Sequence, residues 1–170
     1  MTEYIHHYQS PFGKLILSSN GDALTGLWFE GQKYFADTID FERAKQKDLP
    51  VFALCDKWLN IYFSGKAPDF MPPVSFCSTP FREAVWQILL TIPFGAVTSY
   101  GQIAQMIAKS RGLKHMSAQA VGAAVGRNPI SIIVPCHRVV GSKGELTGYA
   151  AGLETKRKLL FLEGILKTGG

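Results

Sequence analysis

Short apolar runs rich in β-branched and aromatic residues occupy Tyr4 to Tyr8, Gly13 to Ser19 and Ala23 to Phe29, which predicts the strands of a small antiparallel sheet. Asn20-Gly21-Asp22 joins the last two, and the Asn-Gly pair accepts the positive φ of a tight hairpin. Gly31 to Asp48 is polar and mixed. Pro50 then opens a helix carrying Val51, Leu54, Cys55, Trp58 and Tyr62 at helical spacing and ending near Gly65. This helix should cover the sheet, and its aromatic stripe reads as core. Lys66 to Ser78, with Pro68, Pro72 and Pro73, reads as an extended connection between two lobes, residues 1–75 and 79–166.

The second lobe reads mostly as helix. Thr79-Pro80 supplies a cap and first-turn proline for Phe81 to Thr91, whose apolar face is Phe81, Val85, Ile88 and Leu89 with Ile92 beyond, and Pro93-Phe94-Gly95 stops it. Ser99 caps a helix to about Lys109 with Ile103, Ala104 and Ile107 inward, and Ser117 caps another from Ala118 to Arg127. In the latter, Val121 and Val125 face one way and Gln119, Ala120, Ala123 and Arg127 the other, with Gly122 and Gly126 thinning it further. A surface with so little bulk suits close approach either to another helix or to a narrow nucleic-acid groove. Lys109, Arg111 and Lys114 flank or occupy the intervening loop, as phosphate contacts or as a merely solvated basic patch. Leu153 to Glu163 predicts a last helix with Lys156, Arg157 and Lys158 as a solvated cluster, and Lys167 to Gly170 a frayed end.

A chain of 170 residues can bury a full core. Lys and Arg number 18 against 13 Asp and Glu, a formal charge of +5 that is compatible with a polyanionic partner without requiring one. No stretch reaches the ~20 apolar residues of a membrane span, and Met1 to Ser10 lacks the apolar region of a secretory signal, so a cytoplasmic protein is expected. Cys55, Cys77 and Cys136 are too few and too irregularly spaced for a disulfide framework, and with His6 and His7 they show no ligand spacing. No metal is expected.

The candidate chemistry lies in Ile130 to Val140. Ile130, Ile132, Ile133 and Val134 are crowded and β-branched, which suits a strand buried on both faces, and Pro135 ends it. Cys136 then emerges just beyond a rigid element. A free cysteine is often a small inert hydrophobe, but His137 and Arg138 follow at once, and such groups favour the nucleophilic thiolate. Neighbouring side chains on extended backbone point apart, so proton transfer between Cys136 and His137 would need a bridging water or a bend.

Pro135-Cys136-His137-Arg138-Val139-Val140, preceded by Asn128-Pro129 and followed by Gly148-Tyr149-Ala150-Ala151-Gly152-Leu153, resembles the active-site signature of the O6-alkylguanine-DNA alkyltransferases. The likeness extends from about Thr79 to Gly164 and more weakly through Ser10-Pro11-Phe12-Gly13-Lys14-Leu15. It implies an α/β protein with a small ribonuclease-H-like N-terminal lobe, antiparallel sheet plus helix, and a mostly helical catalytic lobe containing a helix-turn-helix. It also implies DNA repair by a stoichiometric methyltransferase, acting as a monomer on duplex DNA that contains O6-alkylguanine, with O4-alkylthymine as a further substrate. The nucleotide would be flipped out of the stack and its alkyl group moved to Cys136 without cofactor or membrane.

By the same resemblance, His137 takes the thiol proton through a water and Glu163 orients the imidazole. Tyr100 donates toward guanine N3, Val139 offers its carbonyl to the exocyclic amine, and Tyr149 and Ala150 wall the pocket. Asn128 holds the joint between the recognition helix and the active-site segment. Ser117, Gln119, Ala120 and Arg127 belong to the helix that enters the minor groove, and Ser142 is a candidate phosphate contact. Ala150 stands where relatives often have serine, a change of little consequence if the contact is made by the main chain. The Ser110 to Met116 connection is longer than a standard helix-turn-helix turn.

Two other classes compete: a damage binder that keeps the pocket without transferring, and a cysteine hydrolase that ignores DNA. The first fits poorly with a cysteine at position 136, and the second would turn over repeatedly. Gln119 stands where many relatives carry an intercalating arginine; glutamine fills the gap and hydrogen-bonds but supplies no charge. Gln119→Arg should therefore tighten binding to intact duplex, by about threefold to tenfold if one counterion-releasing contact is gained, as read by fluorescence anisotropy at fixed salt.

Overall fold

The computed structural model describes residues 2–167, so the end expected to fray falls, from residue 168, outside them. Two compact units separate within a mixed α/β chain. One comprises the residues up to Phe76 together with Pro129–Ser131, and the other Cys77–Asn128 and the residues from Ile132 onward.

In the first unit, β1 (Tyr4–Ser10), β2 (Gly13–Ser19) and β3 (Leu24–Phe29) form an antiparallel meander, and the short β4 (Lys45–Gln46) adds in parallel to β1, giving the order β3-β2-β1-β4. The β2–β3 connection is looser than the tight hairpin expected, running over residues 20–23: of the Asn-Gly pair Gly21 alone adopts positive φ, at 109°, while Asn20 Oδ1 accepts from the Asp22 and Ala23 amides at 3.0 Å each. Helix α1 (Pro50–Phe63) starts on its proline and buries Val51, Phe52, Cys55, Trp58, Leu59 and Tyr62. Leu54, expected inward, is 41% exposed. Phe52 and Leu59 join the buried stripe on the side away from Leu54 and rotate its centre, leaving Leu54 outside.

The outer edge of β3 is covered twice. Val74 bridges Leu24, with Leu24 N donating to Pro73 O at 2.8 Å, and Ile130 bridges Leu27, whose amide donates to Pro129 O at 2.8 Å and whose carbonyl accepts from Ser131 N at 2.8 Å. These segments satisfy an edge that would otherwise present unpaired backbone groups.

The second unit packs α2 (Pro80–Leu89), α3 (Tyr100–Ser110), α4 (Ala118–Gly126) and α5 (Leu153–Leu162) with a two-stranded parallel ladder of β5 (Thr98–Ser99) and β6 (Val139–Val140). The caps are those the sequence predicts. Thr79 Oγ1 accepts from Arg82 N at 3.2 Å, Ser99 and Gln102 form a reciprocal capping box, and Ser117 Oγ accepts from Ala120 N at 3.2 Å. Residues 111–117 connect α3 to α4. The Trp86 indole donates to Ala124 O at 2.9 Å, fixing α2 against α4.

The strand expected over Ile130 to Val134 is not formed. Only Ile130 pairs; the residues after it turn, and Ile132 adopts φ 69°. Apolar periodicity reports burial, and here burial is complete on every side without a ladder. A left-handed β-branched residue costs ~1–2 kcal/mol, a strain retained here by a side chain with no exposed surface. Cys136–Arg138 is a 3-10 turn, so Cys136 and His137 do not sit on extended backbone.

β3 supports both covering segments, so its packing can be probed at Gly26, where an added Cβ would overlap the Trp28 ring and Ser18 Oγ. Gly26→Ala should lower stability by about 1–3 kcal/mol, the usual cost of overpacking, seen as a lower urea midpoint.

Candidate active site

Glu163 is the C-cap of α5, and its carboxylate gathers three parts of the second unit. Oε2 accepts from His137 Nε2 at 2.6 Å and from Arg138 Nη2 at 3.2 Å; Oε1 accepts from Arg138 Nε at 2.8 Å and from the Gly95 amide at 3.0 Å. Arg138 Nη1 donates to Ile92 O at 2.7 Å. Gly95 reaches this position with φ 84°, which suits glycine, so the Pro93-Phe94-Gly95 stop also supplies a hydrogen-bond donor. The His137 and Glu163 side chains are fully buried. Burial alone would raise the Glu163 carboxyl, but the hydrogen bonds and charges of His137 and Arg138 outweigh it and hold it at about 2. Burial, the largest influence, and the charges of Arg138 and Lys156 together lower His137 against the hydrogen bond and charge of Glu163, which raise it. The imidazole is therefore neutral, gives its Nε2 hydrogen to Glu163 and keeps Nδ1 as the basic nitrogen.

Cys136 is 7% exposed, and its amide donates to Val134 O at 2.8 Å. Burial pushes its thiol up, opposed by a hydrogen bond with the Asn128 side chain and by the positive charge of Lys156. The resting group is a thiol, and the expectation that its neighbours favour thiolate is corrected: Arg138 is directed to Glu163 and Ile92 instead. Asn128 is buried and also donates to Val134 O at 2.9 Å, tying the end of α4 to the backbone just before the cysteine.

Lys156, expected in a solvated cluster, is fully buried. Its ammonium donates to Val139 O at 2.7 Å, Thr147 O at 3.0 Å and Gly148 O at 3.4 Å, and burial pushes it down to about 8. The signal was present in the sequence, since Lys156, Leu159, Leu160 and Glu163 share one face at helical spacing. Arg157 pairs with Glu154 at 3.2 Å, and Lys158 is exposed.

Tyr100 begins α3. Burial raises its phenol, which accepts a hydrogen bond from Thr147 Oγ1 at 3.0 Å that pulls it back, and a thiolate at Cys136 would raise it further. Gly122 of α4 faces the ring, and a Cβ there would sit 3.6 Å from it. Val139 is buried on β6, while Tyr149 and Ala150 are half-buried in the loop before α5. Thr147 is a residue that sequence reasoning did not single out.

The residues proposed for DNA lie at the surface. Ser117 is exposed at the N-cap of α4 and Gln119 in its first turn, Ala120 is half-buried, Arg127 is the half-buried helix C-cap and Ser142 is exposed in the turn after β6. Lys109, Arg111 and Lys114 are exposed, with the Arg111 guanidinium 5.5 Å over the Phe81 ring. Among the described residues no group of His, Cys, Asp and Glu could hold a metal ion. His6 bonds Asp56 at 2.9 Å, Cys55 is buried with its thiol pushed up to about 12, and Cys77 is exposed. No helix among the described residues is long and apolar enough to cross a membrane.

A buried thiol on the same short turn as a carboxylate-bound imidazole, following a helix with an almost bare outer face, defines a cysteine-centred protein of the α/β class. Family models described as the DNA binding domain and the ribonuclease-like domain of 6-O-methylguanine DNA methyltransferase match residues 80–165 and 4–76. The chain belongs to that family. The methylated-DNA--protein-cysteine methyltransferase of Mycobacterium leprae is 43% identical over 157 residues, covering 91% of this chain and 88% of that protein. The protein of the same name from Haemophilus influenzae is 40% identical over 163 residues, covering 95% and 87%. The crystal structure of Mycobacterium tuberculosis OGT in complex with DNA superposes with a TM-score of 0.81 at 40% identity, covering 94% of this chain and 92% of that one.

The Glu163 shift makes stability pH-dependent. Its carboxyl lies below the usual 4.5, so the contribution is complete above 4.5 and is lost as pH falls toward about 2. His137, buried and neutral, acts in the same direction below 6.5. Glu163→Gln should remove the lower part of this acid dependence, on the order of 3 kcal/mol, in urea unfolding followed between neutral pH and pH ~2.

Proposed function

We propose that this chain repairs DNA directly, transferring the alkyl group from O6 of guanine in duplex DNA, and from O4 of thymine, to the Cys136 sulfur in one turnover. The observation that carries this reading is a buried thiol on the same 3-10 turn as His137, whose imidazole Nε2 is fixed on Glu163 at 2.6 Å. A thiol raised by burial does not ionise by itself at neutral pH, so the adjoining base is needed.

In this reading the target nucleotide leaves the stack at a cost of a few kcal/mol and enters the pocket beside Cys136. The thiol proton passes through a water to His137 Nδ1, and the imidazolium is stabilised by Glu163. The sulfur attacks the alkyl carbon in line, the C–O6 bond breaks, and the electron pair passes to guanine. Tyr100 gives its phenolic proton to N3, and the proton held by His137 returns to the phenolate through solvent. Lys156 favours the developing thiolate from a distance. Val139 O receives the guanine amine, Tyr149 and Ala150 wall the pocket, and Asn128 holds the cysteine in register with α4. The thioether that results has no nucleophile to remove it, so the protein is consumed.

α4 enters the minor groove, where its small outer residues allow close approach. Gln119 fills the gap left by the flipped nucleotide, Ser117, Ala120 and Arg127 line the groove and backbone, and Ser142 contacts phosphate. Residues 1–75 and 79–166 act as two domains, and the protein works as a cytoplasmic monomer without metal or cofactor.

Incubation with an O6-methylguanine duplex should add one methyl to the intact mass, at Cys136 and never at Cys55 or Cys77. Cys136→Ala should abolish transfer and keep duplex affinity. Tight binding at unchanged mass would point to a damage binder, and turnover beyond one equivalent to a hydrolase.

A further inference from the structure

The phenol of Tyr100 has one hydrogen to give, and its usefulness to a leaving base depends on where that hydrogen points. Thr147 Oγ1 donates to the phenol oxygen at 3.0 Å. The phenol hydrogen therefore cannot occupy that approach and is directed elsewhere. We infer that Thr147 is a positioning residue for alkyl transfer, its hydroxyl aiming the Tyr100 O–H at the leaving base and polarising it for proton donation. The inference rests on the reading of Tyr100 as proton donor.

Thr147 is itself held in place. Its carbonyl accepts from Lys156 Nζ at 3.0 Å, and the same buried ammonium holds Val139 O at 2.7 Å and Gly148 O at 3.4 Å. One lysine thus fixes both the carbonyl assigned to the guanine amine and the residue that orients the proton donor. Gly122 bounds the ring from α4, since even a Cβ there would come within 3.6 Å of it. A hydroxyl that accepts one hydrogen bond becomes a better donor of another. The electrostatics agree: burial raises the Tyr100 phenol, the Thr147 bond pulls it back, and negative charge at Cys136 raises it again.

The test uses the full chain and measures the second-order rate of methyl transfer from an O6-methylguanine duplex, alongside the ionisation of Tyr100 followed by NMR of ring-labelled tyrosine. Thr147→Val removes the hydroxyl with little change in shape and should slow transfer about tenfold, a part of the ~10²–10⁴ that a positioned acid contributes. Its duplex affinity should be unchanged, and Tyr100 should titrate at higher pH. Thr147→Ser should restore both rate and titration, and Thr147→Val should cause no further loss in a Tyr100→Phe background. Transfer by Thr147→Val at the parent rate while Tyr100→Phe is slow would overturn the role of Thr147 alone. A Thr147→Val loss of equal size with or without the Tyr100 hydroxyl would do the same, by showing a packing effect. Tyr100→Phe at the parent rate would overturn the proton-donor reading, and this inference with it.

Discussion

The candidate active site depends on a single buried carboxylate. Glu163 lies out of solvent, where an unpaired anion would be costly, and is kept ionised by donors from three residues on two segments: the imidazole of His137 and the guanidinium of Arg138 on one turn, and the amide of Gly95 on another. Arg138 supplies the formal charge balance, so His137 can remain neutral. It also grips Ile92 O, so the end of α5, the turn after α2 and the 3-10 turn bearing the cysteine are fastened at one point. The same contact selects the imidazole tautomer, since Nε2 must carry the hydrogen given to the carboxylate. A neutral base with a defined lone pair follows from these bonds.

Much of this was legible in the chain. Thr79, Ser99 and Ser117 cap helices because their oxygens accept from first-turn amides, and that chemistry is local. The Asn20-Gly21 turn is local for the same reason. The resemblance around Cys136 named His137 and Glu163 together, although 26 positions separate them, and the structure brings them into contact. What could not be read were features decided by tertiary partners. Ile130 to Val134 has the composition of a buried strand, yet only Ile130 finds one to pair with, and the following residues turn inside the core. Arg138 read as a charge for the sulfur because sequence adjacency does not say which way a side chain folds back. Lys156 was legible as to face, but a lysine on an apolar face is normally excluded from the core, and the three carbonyls that receive it come from β6 and the loop before α5. Thr147 gave no signal at all, since a hydroxyl in a loop acquires meaning only from what it meets.

Cys136, the proposed nucleophile, and the helix proposed to meet DNA are joined by very little chain. Asn128 follows α4 and reaches both Val134 O and the Cys136 sulfur, and Gly122 of the same helix bounds Tyr100. Small residues on α4 therefore have two uses: on the inner side they let the phenol ring lie close, and on the outer side they leave a smooth face. Bulk added at Gly122 would press on the Tyr100 ring, whereas bulk at the exposed Ala123 would alter the outer surface alone.

The three thiols occupy very different surroundings: Cys55 lies on the buried face of α1, Cys136 is enclosed beside Asn128, and Cys77 opens the second unit in contact with solvent. A bulky maleimide dye brought to the native protein will find Cys77 well before either of the others. The unmutated chain thus offers a ready attachment point for fluorescent or spin labels, at a site remote in sequence from the nucleophile.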